Sequence, residues 1–229
     1  MLNFSVDQII YIAIQLVCIV FSVMVHEIAH GYAAFRLGDP TAKRAGRLTL
    51  NPAKHLDPVG SVAIPLVLML MGGPIFAYAK PVPYNPYYFK NRKKGELIVA
   101  FSGPFSNLAQ ALLGVAIAFA ASYAFAFHGF GTVAGEILYW TYVFGSQYCL
   151  INLVLFFFNI FPLPPLDGAS IVAVFLNNKG LETFYRIKEY SMFILMALLV
   201  LVPMVTPWSP VSWYFAHTAY PLFDFLMSW

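Results

Sequence analysis

The chain has 229 residues, of which 60% are hydrophobic and only 10% are charged. Soluble domains carry about 25% charged residues, so this composition excludes a soluble globular protein and indicates a polytopic protein of the lipid bilayer. The formal net charge of +3 is small, and the basic residues lie beside apolar runs. We therefore expect these charges to flank membrane spans and not to bind nucleic acid.

The first apolar run, Ile9 to Phe35, carries His26 and His30 four residues apart, with Glu27 between them. On a helix such a pair shares one face, about 6 Å apart along the axis, and two imidazoles on one face can bind zinc. Glu27 flanks that face, where it can reach a water at the metal without being a ligand. Each ionisable side chain deep in a bilayer costs about 2.5 to 3.5 kcal/mol on insertion scales. The three together therefore indicate metal chemistry more than a chance pattern.

The placement of positive charge orients this span. All 13 Lys and Arg lie in three stretches: Arg36 to Lys54, Lys80 to Lys94 and Lys179 to Lys188. The positive-inside rule places all three on the cytoplasmic side. The first span then runs from outside to inside, and its histidines lie about 9 to 15 Å below the cytoplasmic boundary. Residues 1–8 carry no Lys or Arg, so we expect a retained span and no signal peptide.

Between the first and second long spans the helical pattern is broken. The polar stretch Gly38 to Gly60 contains the alternation typical of a strand at Arg47 to Leu50. We interpret its His55 as a solvated loop side chain, with an extra metal ligand as the alternative. Val59 to Ala79 is long enough to cross the membrane, but its internal Pro and Gly residues favour a re-entrant or interfacial segment. Lys80 to Glu96 follows as an aqueous or interfacial segment.

The rest of the chain supplies further spans. Apolar runs predict spans at Leu97 to Phe127, Ile137 to Phe161 and Tyr190 to Val205, and a short helix at Ile171 to Leu176. The aromatic tail, 208–229, is either an interfacial belt or a poor last span. The predicted fold class is therefore an all-α polytopic membrane protein with about four to six transmembrane helices. Residues 1–229 are expected to form a single integral-membrane domain.

The span that ends at Phe161 is followed by Pro162, Pro164 and Pro165. Three prolines in four positions cannot stay helical, so the backbone must unwind there. Inside a membrane this is tolerated only where the segment lines a cavity or is covered by protein. Asp167 ends the stretch, and it is either a helix cap or the third ligand of a zinc. A catalytic zinc needs three protein ligands and an open position for water, and the first span supplies only two.

Together these motifs resemble the site-2 protease family of intramembrane zinc metalloproteases. The resemblance rests on the His-Glu-x-x-His pattern in the first span, on Gly103 to Asn107 and on Asn159 to Gly168. The chain departs from some members of the family because no span precedes the metal helix. Neither a PDZ nor a CBS module fits in it either. Substrate selection would then fall to the membrane domain itself or to a regulatory membrane partner.

The resemblance implies a role for each site residue. One zinc per chain is bound by His26, His30 and Asp167, Glu27 is the catalytic carboxylate, and Asn159 holds substrate near the metal. It further implies a multi-pass protein of the cell (inner) membrane with its active site toward the cytoplasm. The implied activity is intramembrane endopeptidase cleavage of peptide bonds within or near transmembrane segments of membrane-protein substrates, as in regulated intramembrane proteolysis.

Two other functions fit parts of the pattern. A zinc transporter of the ZIP type also places His-Glu-x-x-His in a membrane helix, but transport needs a ladder of ligands across the bilayer. Here the outer halves of the spans carry almost no charge. A catalytically inactive scaffold is the other alternative, and the presence of Glu27 beside both histidines argues against it.

A shared metal would also constrain the topology. Asp167 must reach the metal on the first span, so Ile137 to Phe161 must run inward and Leu97 to Phe127 must run outward. The chain would then be cytoplasmic on both sides of Val59 to Ala79, and that segment cannot cross the membrane once. A single crossing would leave Asp167 more than about 20 Å from the histidines, given a hydrocarbon core about 30 Å thick.

Overall fold

The structure is a computed structural model that describes residues 5–55, 57, 80–129 and 131–229. Within these residues the regular structure is helical and no strand is formed, which confirms the all-α fold class. Four helices are long and apolar enough to cross a membrane: α1 (Val6–Arg36), α3 (Arg92–His128), α4 (Val133–Ile160) and α6 (Asn178–Val205, with a π-helical segment at Ala197–Leu201). The shorter helices are α2 (Thr41–Arg44), α5 (Asp167–Phe175), α7 (Pro210–Ala216) and α8 (Ala219–Leu226). In the described part of the chain, 3₁₀ turns lie at Pro52–Lys54 and Pro86–Tyr88.

Helix α6 begins earlier than its apolar pattern indicates. The span was predicted from Tyr190, whereas the helix begins at Asn178 and includes the third basic stretch. Asn177 caps it, because its side-chain oxygen accepts a hydrogen bond from the backbone N–H of Gly180 at 2.9 Å. A good cap and the absence of proline before Pro203 let the polar turns continue directly into the apolar ones. The helix therefore leads from an aqueous boundary into the membrane.

Helices α3 and α4 pack closely because glycines lie at their contact. A Cβ on Gly114 of α3 would lie 2.7 Å from the carbonyl oxygen of Gly145 on α4, and one on Gly145 would lie 2.6 Å from the backbone nitrogen of Ala118. No side chain fits at such distances. In lipid, where burial of apolar surface gives little driving force, close backbone packing of this kind holds helices together. Helix α1 packs against both helices and completes a three-helix core.

The outer surface of the long helices is apolar. Large side chains such as Phe127 and Phe193 are 72% and 76% exposed. A soluble monomer rarely exposes an apolar surface of this extent, whereas lipid tails cover it at no cost. Together with the four long apolar helices, this surface is that of an integral membrane protein.

The C-terminal end of α1, the N-terminal end of α3 and the start of α5 gather at one end of the bundle. Ala34, Phe89 and Val99 pack in one cluster there, and Asp167 lies against α1. The chain before and after the segment 58–79 therefore lies at the same end, as the topology argument requires. Val59 to Ala79 lies wholly outside the described residues, so its re-entrant or interfacial placement stays a prediction.

The strand predicted at Arg47 to Leu50 is not formed: residues 48–50 are bends, and the described residues contain no strand. The backbone N–H of Arg47 instead donates to the carbonyl of Ala42 at 3.0 Å and ends the turn that follows α2. Its guanidinium donates to the carbonyl oxygen of Lys80. An alternating sequence forms a sheet only where a partner strand is available. Here the Arg47 side chain, and not a ladder of backbone hydrogen bonds, connects this segment to Lys80.

His55 is not solvated, in contrast to its interpretation from sequence. It is only 4% exposed, and its Nε2 lies 2.9 Å from the carbonyl oxygen of Thr49. Its own carbonyl accepts a hydrogen bond from the backbone of Lys80 at 2.9 Å. His55 therefore joins two polar segments, and it is not part of the metal-ligating group described below.

The aromatic tail forms two short helices. Helix α7 has 7 residues and α8 has 8, whereas a span needs about 20. Neither helix is long enough to cross a membrane. Ala219 of α8 packs with Ala111, Cys149 and Leu153, so the tail covers the α3–α4 pair from the side.

Candidate metal centre

Three side chains predicted as ligands come together at the functional end of the bundle. The Nε2 atoms of His26 and His30 lie 3.0 Å apart, and each lies 3.2 Å from Oδ2 of Asp167. The residues belong to α1 and α5, more than a hundred positions apart in the chain. Both histidines are buried and the carboxylate is half-buried. The arrangement is a nearly equilateral triangle of potential ligand atoms.

The break after α4 places Asp167 in this triangle. Helix α4 ends at Ile160, the prolines follow, and α5 begins with Asp167 as its first residue. The next residue must be glycine, because a Cβ on Gly168 would overlap the carbonyl oxygen of Ile160. The unwound segment thus folds back sharply on the end of α4, and this turn aims Asp167 at α1.

A glycine of α3 makes room for the two imidazoles. A Cβ on Gly103 would overlap Nε2 of His30 and would lie 2.6 Å from Cε1 of His26. The backbone of α3 therefore forms one wall of the triangle. The need for space beside the two imidazoles therefore explains why the Gly103 to Asn107 motif begins with glycine, beyond general helix packing.

Hydrogen bonds at the far side of each ring determine where its proton lies. Nδ1 of His30 is 2.7 Å from the carbonyl oxygen of Val99, and Nδ1 of His26 is 2.6 Å from Oδ1 of Asn107. Oxygens of this kind only accept, so each neutral ring carries its proton at Nδ1. Both Nε2 atoms therefore point lone pairs toward Asp167.

The triangle fits zinc. In a tetrahedral site with metal–ligand distances of about 2.05 Å, ligand atoms lie about 3.3 Å apart, close to the distances found here. Oδ2 of Asp167 is buried and, despite its two 3.2 Å contacts, has no hydrogen bond of acceptable geometry. Three lone-pair atoms that converge in this way repel one another unless a cation lies between them. Two imidazoles and one carboxylate also leave a fourth position open, as catalytic zinc sites do.

The ionisation state of Asp167 suits this role. Burial by itself raises the pKa of the carboxyl group, but the positive charge and the N–H groups of His26 and His30 in their imidazolium form outweigh burial and lower the pKa to about 2. The side chain is therefore a carboxylate at neutral pH. A carboxylate must be deprotonated to bind a metal, and this one already is.

Glu27 and Asn159 line the same cavity as the triangle, which has a volume of about 470 Å³. Oε2 of Glu27 accepts a hydrogen bond from the backbone N–H of Val82 at 2.8 Å. Nδ2 of Asn159 donates to the carbonyl of Leu155 at 2.9 Å. The two residues predicted to be catalytic are thus beside the metal-ligating group, and their roles stay predictions.

Comparison with known proteins decides the family. The family described as Peptidase family M50 matches residues 130–202, which include Asn159 and Asp167. The protein named "Putative zinc metalloprotease YwhC" of Bacillus subtilis (strain 168) is 38% identical over 172 residues, which is 72% of this chain and 73% of that protein. The chain belongs to peptidase family M50. This confirms the resemblance to the site-2 protease family, and the enzyme is a zinc metalloprotease by family.

Two further relatives are also named as putative zinc metalloproteases. "Putative zinc metalloprotease Rip2" of Mycolicibacterium smegmatis (strain ATCC 700084 / mc(2)155) is 28% identical over 89% of this chain and 70% of its own length. The Rip2 protein of Mycobacterium tuberculosis (strain ATCC 25618 / H37Rv) is 25% identical over the same shares. No solved structure gives a significant match to this M50 peptidase.

Several residues of the site were not found from sequence. The sequence pattern points to Asn107 only as part of its motif, and it does not point to Ser22, Asn152 or Tyr84. Tyr84 lines the cavity. Burial raises the pKa of the Tyr84 phenol, so the side chain stays a neutral donor. The sequence does offer one indication of Asn152: a polar amide in the middle of an apolar membrane span needs a hydrogen-bond partner inside the protein.

Proposed function

We propose that this M50 peptidase is an intramembrane zinc metalloendopeptidase that cleaves membrane-protein substrates within or near their transmembrane segments, with one zinc per chain. The observation that carries the proposal is the cavity in which the metal-ligating triangle, Glu27 and Asn159 face one another between apolar helices. A cavity among spans is the only place where an unwound substrate segment can be bound inside a bilayer.

His26, His30 and Asp167 would hold the zinc, which when bound acidifies a water molecule and polarises the substrate carbonyl. Glu27 lines the cavity without belonging to the triangle, so it is free to act on protons. It takes the proton from the attacking water and later delivers it to the leaving nitrogen. The hydrogen bond from Val82 to Oε2 orients the carboxylate and leaves Oε1 for this transfer.

Asn159 is suited to hold the substrate backbone. Its bond to the Leu155 carbonyl fixes the amide and leaves Oδ1 and one N–H available to the cavity. A helical substrate hides its peptide bonds, so the target segment must unwind before it reaches Glu27. Each unsatisfied backbone group in a bilayer costs several kcal/mol, and Asn159 supplies one partner for the unwound chain.

We place the active site toward the cytoplasmic side of the cell membrane. Arg36 ends α1, Arg92 begins α3 and Lys179 lies in the first turn of α6, and α1 and α3 meet at the end that holds the cavity. Positive charge near span ends favours the cytoplasmic side. A regulatory membrane partner would then act on the bilayer-embedded or cytoplasmic surface of this domain.

The test uses the full chain, purified in detergent and reconstituted in liposomes with a set of tagged single-span membrane proteins as reporters. We expect about one zinc per chain by elemental analysis, as three ligands at a single site require. We also expect cuts in or next to the reporters' apolar segments, mapped by mass spectrometry. A zinc chelator should abolish the cuts, and added zinc should restore them.

Glu27→Gln is the matched control, because it keeps the size and the hydrogen bond from Val82 but cannot accept a proton. Zinc content should persist in this variant while cleavage is lost. Zinc flux into the liposomes without any peptide cleavage would instead favour a transporter. Cleavage that is unaffected by removal of the metal would refute the proposed chemistry.

A further inference from the structure

Buried polar side chains form a chain of hydrogen bonds that crosses three spans and ends at the metal centre. The amide of Asn152 on α4 donates to the carbonyl oxygen of Tyr148 at 2.9 Å and to the hydroxyl oxygen of Ser22 at 2.8 Å. Its Oδ1 accepts from Asn107 of α3 at 2.9 Å, and Asn107 in turn contacts His26 at 2.6 Å. Ser22, Asn107 and Asn152 have no exposed surface.

The hydrogen bond to the Tyr148 carbonyl, at the end of the series remote from His26, determines the orientation of both amide side chains. The Tyr148 carbonyl can only accept, so Asn152 must turn its NH₂ group toward Tyr148 and its oxygen toward Asn107. Asn107 must then donate to Asn152 and turn its own oxygen toward His26. His26 therefore carries its proton at Nδ1 and presents the Nε2 lone pair to Asp167. Reversal of either amide would oppose two acceptors or two donors where no water can relieve them.

We propose that Asn152 is a positioning residue for the metal centre, which acts through Asn107 to hold His26 in the tautomer that binds zinc. Asn152 contacts no ligand atom and does not line the cavity. The inference rests on the zinc site of the proposed function. An imidazole that is free to exchange tautomers presents an N–H to the metal for part of the time. Loss of the outer partner of a ligating histidine lowers metal affinity or activity about 10- to 100-fold.

The test measures zinc affinity of the full chain in detergent by competition with a chromophoric chelator, so it needs no substrate. Asn152→Leu should raise the Kd for zinc by about tenfold or more. The visible spectrum of the cobalt-substituted protein should also change, because His26 would no longer be fixed. Asn107→Leu should have at least as large an effect. The double variant should add little to Asn107→Leu, since two residues in series are not independent.

Gln110 provides a matched control in the same bundle. It is buried, accepts a hydrogen bond from the Tyr148 hydroxyl and lies 3.5 Å from the Ser22 carbonyl, whereas Asn152 uses the Tyr148 carbonyl and the Ser22 hydroxyl. Gln110→Leu removes a buried amide of similar size and should leave the Kd for zinc unchanged. An equal loss of affinity in Gln110→Leu and Asn152→Leu would reduce Asn152 to a packing role.

A second pair of variants decides the matter where Asn152→Leu does not fold. Asn152→Asp keeps the acceptor for the NH₂ group of Asn107, because a buried carboxyl group protonated at its other oxygen can still donate to the Tyr148 carbonyl. Gln110→Glu makes the same change of amide to carboxyl outside the chain of hydrogen bonds. We expect the two variants to bind zinc with equal affinity. Weaker binding in Asn152→Asp alone would overturn the proposal.

The two proposals fail in different ways. Should His26→Ala retain zinc, the ligand assignment is wrong and the proposed function fails with it. Should His26→Ala lose zinc while Asn152→Leu keeps wild-type affinity and the wild-type cobalt spectrum, only the role of Asn152 is wrong.

Discussion

Substitution of Gly103 by alanine tests whether the wall of α3 sets the geometry of the metal centre. The added Cβ would lie 2.6 Å from Cε1 of His26 and would overlap Nε2 of His30. Carbon atoms pack at about 3.5 to 4.0 Å, so either the imidazoles or the helix must move by about 1 Å. The His26 ring cannot simply rotate away, because its Nδ1 is held on the opposite side by the hydrogen bond to Asn107.

The expected loss of zinc affinity in Gly103→Ala follows from how little variation metal sites tolerate in their metal–ligand distances. Metal–ligand distances must stay within about 0.2 Å of their preferred values, so a shift five times larger should lower zinc affinity markedly. A misplacement of about 1 Å costs about 100-fold in rate. Overpacking should also destabilise the fold by about 1 to 3 kcal/mol. We therefore expect Gly103→Ala to lose both zinc binding and cleavage, with only a modest loss of thermal stability.

The assay compares Gly103→Ala with Gly114→Ala on the same helix. A Cβ on Gly114 would lie 2.6 Å from the backbone nitrogen of Cys149, so this variant suffers a comparable clash away from the metal. Zinc content, zinc Kd, reporter cleavage and thermal unfolding are measured for both. Gly114→Ala should lose stability and keep zinc. Wild-type zinc affinity and cleavage in Gly103→Ala would show that the imidazoles do not depend on this wall.

Three other predictions concern ligands, chemistry and topology. Asp167→Ala should reduce both zinc content and cleavage, because two imidazoles leave the metal under-coordinated; full zinc and full activity would show that Asp167 is no ligand. Glu27→Gln should keep zinc in elemental analysis while turnover collapses, and turnover near wild type would remove Glu27 as the general base. Single cysteines at Thr41 and Asn91 should both react with a membrane-impermeant reagent from the cytoplasmic face of oriented vesicles. Labelling from opposite faces would contradict the topology that the shared metal requires.

That His26, His30 and Asp167 come together was predictable because each position depends on a local pattern. His26 and His30 share a face through helical periodicity alone, and the prolines before Asp167 break the chain whatever surrounds them. The spans followed from composition in the same way. The start of α6 was missed by twelve residues, since the cap at Asn177 and not the onset of hydrophobicity begins that helix.

What could not be predicted depends on contacts between distant parts of the chain. Val82 reaches Glu27 across 55 residues, and nothing in either local sequence indicates that contact. The same holds for Arg47, whose side chain finds the carbonyl of Lys80 in place of a strand partner. An amide such as Asn152 can be recognised as costly in a span, but its partner depends on how the helices are rotated about their axes.

The cost of polar groups in lipid also explains why the metal centre and the helix packing cannot be separated. Ser22 and His26 lie one turn apart on α1, and each is bound to an amide of a different neighbouring helix. In a bilayer an unpaired group of this kind is expensive, so the helices gain stability only in the rotational setting that pairs both at once. That setting is also the one that points Nε2 of His26 at Asp167. The hydrogen bonds that assemble the three-helix core are therefore the same bonds that orient the imidazole of His26, a candidate metal ligand, toward Asp167.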